Sequence, residues 1–340
     1  MGTPELALFG RDLFGDIVKP KPSGPVAEKF LFAPFSVLSA RDGTWQKRKS
    51  AWLRMGIQSE ESRTMNGDGK RLLLKTSSGT DFYIQKRKVE RSLGCALTTS
   101  EFKEKYYKED RAADQGASIF DPVLCELAYR WWCPAGGMIV DPFAGGSVRG
   151  IIAGALSFHY WGCDLRAEQI AANETQADTI QPDIRPTWVS GDSLETLASA
   201  PEADFLFSCP PYGDLEKYCD DPRDLSNMKW YAFLTAYKRI IAEACERLKQ
   251  NRFACFVVGD FRDPHGFYRD FVSETIRGFK ETGLELYNEA ILVTSVGSAS
   301  MRVTRQFAAG RKLCKTHQNV LVFCKGDPRK AARAINGKNT

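Results

Sequence analysis

Histidine is scarce: the 340 residues hold only His159, His265 and His317. That excludes histidine-rich metal cages and the HExxH zincin pattern, and it leaves a Ser-His-Asp triad little choice of base. The ten cysteines form no CxxC pair, so zinc-knuckle and thioredoxin-type chemistry lack their spacing. Several stand in apolar runs, Cys255 in FACFVVG and Cys324 in VLVFCKG, where a free thiol acts as a small hydrophobe. Thiols used this way favour a reducing cytoplasm over an export route. No run approaches the ~18 apolar residues of a membrane span. The N-terminus has no signal-like apolar region, and Leu6 breaks the myristoylation pattern. The expectation is a soluble cytoplasmic protein with no membrane partner and no metal.

What is present is enough for a sizeable core, with 43% hydrophobic and 26% charged residues. The net charge of +5 conceals a partition. Residues 41–111 carry 17 basic against 10 acidic groups, residues 112–298 carry 16 against 27, and residues 299–340 carry 10 against 1. An acidic centre between two basic flanks suits a core with its own chemistry whose flanks meet a polyanion, although a charge run alone also suits a solvated surface.

The chain divides by texture into four parts. Residues 1–30 are a Pro- and Gly-containing lead-in, residues 31–112 a basic N-terminal region with interleaved aromatics, residues 113–327 an alternation of strand and helix signals, and residues 328–340 a basic tail. The alternation predicts a Rossmann-like α/β domain, a mostly parallel seven-stranded sheet with an antiparallel last strand. A long helix fits 225–249, where Trp230, Phe233, Leu234, Tyr237, Ile240, Ile241, Ala244 and Leu248 recur at helical spacing. That stripe reads as packing.

Three successive strands each deliver an aspartate to one sheet edge: Asp141 after GGMIV, Asp164 after FHYWGC and Asp192 after TWVSG. In open α/β sheets ligands bind at that edge, and the turn PFAGGS lets backbone approach one closely. Any one aspartate also suits a helix N-cap. Three in series repel a pyrophosphate and favour a cationic, hydroxyl-rich nucleoside, a description that S-adenosylmethionine meets.

DPFAGG, with GCD and GD downstream and CPPY after the fourth strand, resembles the S-adenosylmethionine-dependent DNA amino-methyltransferases that modify N6 of adenine or N4 of cytosine. The resemblance covers about residues 115–326 and extends to RKLCKTHQNVLVFCKG, which is similar to the family's last motif. FAPFSVLSARDGTWQKRKSAWL is similar to leaders of phage-type members, whose setting is a bacterial host cytoplasm. The family order implies that SIFDPVLCELAYRWW closes over the methionine, with Phe120 and Asp121 touching the cofactor. It implies that Asp141, Pro142, Phe143, Gly145, Gly146 and Ser147 surround the methionine part, that Asp164 and Leu165 take the ribose, and that Asp192 and Ser193 take the adenine. It also implies a base flipped out of double-stranded DNA.

The target end is Cys209-Pro210-Pro211-Tyr212. Two prolines fix the backbone, remove two N–H donors and leave carbonyls pointing outward, and the tyrosine can stack on a planar base. The family places Asp, Asn or Ser before Pro-Pro-Tyr to accept from the amino group being methylated, whereas this chain has Cys209, a weak acceptor. Two accounts stay open. Either Ser208 or the Pro210 carbonyl holds the amino group, or Cys209 is a nucleophile for methylation at C5 of cytosine, with Glu216 on the ring nitrogen.

Only 16 residues separate Asp192 from CPPY, too few for an inserted recognition domain. Specificity is therefore expected from residues 30–112, from the loop 213–226 after CPPY, or from the basic segment between the last strands. The candidate nucleic-acid contacts are Lys47, Arg48, Lys49 and Arg54 beside Trp45 and Trp52, and Arg302, Arg305, Arg311, Lys312 and Lys315 before the last strand. The rival readings are an RNA base methyltransferase, a protein-glutamine methyltransferase, which the basic flanks disfavour, and a DNA-binding module with a degenerate methyltransferase fold.

Overall fold

The computed structural model describes residues 25–57, 89–90, 93, 120–215, 218–296 and 299–337. Most of the basic stretch 58–119, and Glu216, lie outside the described residues.

Among the described residues eight strands form one sheet: β1 (Val37–Ser39), β2 (Met138–Asp141), β3 (His159–Asp164), β4 (Thr187–Ser190), β5 (Ala203–Ser208), β6 (Leu248–Val258), β7 (Glu285–Val293) and β8 (His317–Lys325). Their spatial order is β1-β7-β8-β6-β5-β2-β3-β4. Neighbours run parallel except β8, which is antiparallel to both β6 and β7. The helices are α1 (Pro25–Phe30), α2 (Gly43–Leu53), α3 (Pro122–Trp132), α4 (Val148–Ala155), α5 (Ala167–Ile180), α6 (Ser193–Thr196), α7 (Trp230–Arg247), α8 (Phe271–Glu281), α9 (Ala299–Gly310) and α10 (Pro328–Ile335). After β4 the chain crosses back to lay β5 beside β2. The order reverses there, and such a switch point opens a crevice at the carboxyl ends of the strands.

The central strands read as continuous apolar runs because both faces are covered. In β6, Phe253, Cys255 and Val257 enter one core while Ala254, Phe256 and Val258 enter the other. β8 alternates likewise, Val320 and Val322 against Leu321 and Phe323. On the second face the expected aromatic stripe is packing, as the rings of Trp230, Phe233 and Tyr237 stack in sequence at 5.5 and 5.8 Å along α7.

Two boundaries differ from the sequence expectation. The sheet has eight strands because residues 37–39, assigned above to a separate N-terminal region, pair parallel with β7 (Val37 with Ile291). α2 then docks on α3 through its tryptophans and cations: Trp52 Nε1 donates to Glu126 at 2.8 Å, and Arg48 Nε donates to the same carboxylate at 2.6 Å. Glu126 is wholly buried, so this pair replaces the water it lost. Residues 37–57 thus belong to the sheet unit. The expected basic tail is the helix α10, capped by Asp327 accepting from Arg329 N at 2.7 Å and seated by buried Ala331.

Candidate active site

An open cleft of about 840 Å³, its mouth included, lies along the carboxyl ends of β2 to β5. Phe143, Leu165, Leu194, Leu225, Met228 and Ile240 supply apolar wall, and Asp164, Asp192, Asp224, Arg166, Arg223 and Gln169 supply polar groups. The expected Pro142, Gly145, Ser193, Cys209 and Pro211 also line it.

The aspartates share one local device. Each accepts from the backbone N–H two residues on: Asp141 from Phe143 at 3.1 Å, Asp164 from Arg166 at 2.9 Å, and Asp192 from Leu194 at 2.9 Å. Of the three only Asp192 caps a helix, α6, while Asp141 and Asp164 close a turn; Asp164 and Asp192 still border the cleft. Asp164 uses its other oxygen on Gly145 N–H at 3.0 Å. Gly145 stands at φ +49°, and its carbonyl accepts from Asn173 Nδ2 at 2.8 Å. Ser147, buried and away from the cleft lining, donates to Gln176 at 3.0 Å, so α5 props the glycine turn at two points. Gly146 is half-buried in that turn and does not line the cleft.

Asp141 differs from the other two. It is fully buried and absent from the cleft lining. One of its oxygens accepts from Ser208 Oγ at 2.5 Å, the other from Arg149 Nε at 2.5 Å and Tyr160 OH at 2.7 Å. Burial opposes charge on Arg149, but Asp141 outweighs it and holds the guanidinium well above its ordinary range. Burial, then Asp141, pushes the Tyr160 phenol up as well. Arg149 also donates to the carbonyls of Phe143 and Ala144, at 2.5 and 2.8 Å. The expected direct approach of Asp141 to a ligand is corrected: an internal cation occupies it, and it anchors the turn from beneath.

Ser208 is corrected for the same reason, because its hydroxyl is buried and donates to Asp141. Cys209 is half-buried at the cleft, with its sulfur 3.7 Å from Tyr212 OH, which in turn accepts from Gln318 Nε2 at 3.1 Å. Burial, reinforced by Cys209, pushes the Tyr212 phenol well above its ordinary value. Tyr212 packs on Phe271 and Phe261 at 6.1 and 6.4 Å, and Pro210 is buried behind the turn. Ser193 is likewise turned in, donating to the Pro142 carbonyl at 2.6 Å.

Phe120 and Asp121 also lie off the cleft. The Phe120 ring sits edge-on to Phe207 and lies 4.9 Å from the Arg149 guanidinium. Asp121 caps α3 and accepts from Trp45 Nε1 at 3.2 Å and Lys49 Nζ at 3.1 Å.

That pairing revises the first nucleic-acid candidates. Arg48 and Lys49 hold α2 to α3, and only Lys47 and Arg54 of that group are exposed. Arg305, Arg311 and Lys312 are exposed and Lys315 is half-buried; of Arg302 only its place in α9 is described. Burial lowers the Lys315 ammonium pKa, and Asp260 offsets this in part.

Arg166 and Gln169, two and five residues after Asp164, line the cleft without a motif that singles them out. Tyr218, Cys219 and Asp224, in the loop 213–226 expected to give specificity, line it too, as does Met228. Burial pushes the Cys219 thiol up to about 11. Among the described residues no helix is long and apolar enough to cross a membrane, and no cluster of three His, Cys, Asp or Glu suits a metal ion.

No protein-family model matches the chain, and no curated protein matches its sequence. Solved structures similar to it include TrmN from Thermus thermophilus (15% identity, TM-score 0.42, covering 62% of this chain and 50% of that one). A SAM-dependent methyltransferase from Methanosarcina mazei is similar at 12% identity and TM-score 0.42, covering 62% of this chain and 99% of that one. A precorrin 8w decarboxylase from Methanobacterium thermoautotrophicum is similar at 13% identity and TM-score 0.41, covering 60% of this chain and 91% of that one. The chain thus spans half the length of TrmN. The arrangement of its own strands, with β8 antiparallel in an otherwise parallel sheet and a crevice at the switch point, is that of a Rossmann-like class I methyltransferase fold.

Proposed function

We propose that the protein is an S-adenosylmethionine-dependent methyltransferase that acts on the exocyclic amino group of a base in double-stranded DNA, N4 of cytosine or N6 of adenine. The observation that carries this is one cleft joining two carboxylates, Asp164 and Asp192, to the Cys209-Pro210-Pro211-Tyr212 turn. The donor set fits the cofactor. Asp164 suits a ribose diol and Asp192 an adenine amino group, with apolar side chains between them for the flat and aliphatic parts. When bound, the cofactor supplies an electrophilic methyl group on a sulfonium.

The chain's own residues orient and bind. Asp141 and Arg149 fix the glycine turn, and Asp164 and Asp192 hold the nucleoside. Pro210 and Pro211 present carbonyls to an amino group, while Tyr212, braced by Gln318, shapes the floor under a flipped base. With Ser208 taken up by Asp141, the acceptors left in this turn are main-chain carbonyls and the Cys209 sulfur. The amino target is favoured over C5 of cytosine by the order of the turn, in which Cys209 precedes Pro210-Pro211 rather than following it.

The test is transfer of a labelled methyl group from S-adenosylmethionine to duplex DNA, with single-stranded DNA and RNA alongside. Label on an exocyclic amine of duplex DNA supports the proposal. Label confined to RNA, or none despite cofactor binding, contradicts it.

A further inference from the structure

Beside the CPPY turn stands a small structure that the sequence reading did not single out. The strand neighbouring β5 is β6, and residues 261–269 follow it as a hairpin, closed by an antiparallel bridge between Arg262 and Tyr268. Its turn is over-determined. Gly266 N donates to Asp263 O at 2.9 Å, Asp263 N donates to Phe267 O at 2.8 Å, and Phe267 N donates to the Asp263 carboxylate at 2.9 Å. Gly266 sits at φ +94°, where only glycine is at ease. Arg262 donates to the Gly266 carbonyl at 2.7 Å and lies 3.9 Å from the Tyr268 ring centroid. The root is fastened to the target turn, since Phe261 packs on Tyr212 and a Cβ at Gly213 would meet the Phe261 ring at 2.9 Å.

This rigid hairpin holds two aromatics out into water, Phe267 at 72% exposure and Tyr268 at 48%. Two adjacent exposed aromatics on one fixed frame offer an apolar face to a partner. The neighbouring charge says what. The Lys312 ammonium lies so close to Gly266 that an added Cβ would stand 2.3 Å from it. Arg305 and Arg311 are exposed on the same connection between β7 and β8, and among the described residues none of these three cations is ion-paired. The nearby acids are occupied within the fold, Asp263 by the turn and Asp270 by Ser273 and Arg277. Aromatic faces set among cations, beside a site for one base, complement a nucleic-acid strand.

We propose that the hairpin at residues 261–269 is a duplex-DNA contact of the active site, in which Phe267 stacks on bases adjoining the one drawn to the CPPY turn and Lys312 binds the flanking phosphate. This rests on the reading of the protein as a DNA base methyltransferase. The hairpin positions the duplex and takes no part in the transfer.

The experiment measures binding of a random-sequence 30-base-pair DNA duplex by fluorescence anisotropy over a salt series, with S-adenosylmethionine binding followed by calorimetry on the same samples. Phe267→Ala is expected to weaken duplex binding about tenfold, the scale of one lost base–aromatic stack. Phe267→Trp restores it, and Lys312→Ala lowers the salt slope by about one. Both alanine variants bind the cofactor like the wild type, because neither residue touches the cleft. Unchanged duplex affinity in Phe267→Ala overturns the proposal, as does a wild type that binds cofactor but no duplex at low salt. Loss of cofactor binding in the wild type would instead contradict the methyltransferase reading, and Phe267-dependent duplex binding would still stand.

Discussion

Arg149 Nε donates to Asp141 Oδ2 at 2.5 Å in the fully buried space beneath the glycine turn. The strand that ends in Asp141 and the helix that carries Arg149 are thereby locked at the point where the chain bends over the cleft. Removing one partner leaves the other as a buried, unpaired charge. Arg149→Met is expected to destabilise the fold by about 3–5 kcal/mol, read by denaturant unfolding. Arg149→Lys recovers only part of this, because one ammonium cannot also span the two carbonyls that the guanidinium reaches.

Asp192→Asn separates capping from ligand binding: asparagine keeps an oxygen for the i+2 N–H, and the variant is expected to unfold within about 0.5 kcal/mol of the wild type. Asp164→Asn also loses the acceptor for Gly145 N–H and is expected to cost about 1–3 kcal/mol. The carboxylate's charge is gone, and S-adenosylmethionine affinity is expected to fall about tenfold or more in calorimetry, the scale of one charge-assisted hydrogen bond. Unchanged affinity in both variants removes these residues from the cofactor site.

Cys209→Ala distinguishes the two chemistries at the target turn. If the sulfur only borders the base, methyl transfer survives within about tenfold and yields a methylated exocyclic amine. Complete loss of transfer, with trapping of the wild type by a mechanism-based cytosine analogue, would establish the nucleophile.

The pH dependence has a named contributor at the opposite end of the sheet. Burial raises the Asp204 pKa, but the Met138 N–H, Lys249 and Arg252 outweigh it, and the carboxyl stays below its ordinary value. A depressed folded value supplies stability that is present above the unfolded ~3.9 and lost as pH falls through the folded value. Asp204→Asn is therefore expected to be less stable than the wild type at pH 7, with the gap closing in strongly acid solution. Unfolding midpoints measured across that range check it.

The boundary at residue 113 that the sequence suggests would not give a folding unit. Starting the chain there leaves Glu126 buried without Arg48 and uncovers the edge of β7. A protein of residues 113–327 is expected to be insoluble or molten by near-ultraviolet circular dichroism, and one that retains α2 and β1 to be native.

The strands from β2 onward and the packing helix α7 were legible because they rest on period and turn chemistry, both local, whereas α9 and α10 read only as basic stretches. Asp164 and Asp192 were legible because a strand end fixes where its last side chain can go. Asp141 was misread because no sequence signal distinguishes an aspartate that meets a ligand from one that meets an arginine eight residues on. Arg48 and Lys49 misled for the mirror reason: beside Trp45 and Trp52 they look like a nucleic-acid stripe, and their partners, Glu126 and Asp121, lie more than 70 residues away. The hairpin at 261–269 was invisible because its long-range anchors, Phe261 on Tyr212 and Trp230, and Arg269 on Trp230, lie far back in the sequence.

Methyl transfer to an exocyclic amine of a DNA base leaves a product that nucleoside mass spectrometry reads in DNA from cells making the protein. N4-methylcytosine or N6-methyladenine is expected with the wild type, and its loss with the Asp164→Asn, Asp192→Asn double variant. Only 5-methylcytosine, or no new methylated nucleoside in DNA, would contradict transfer to the amine.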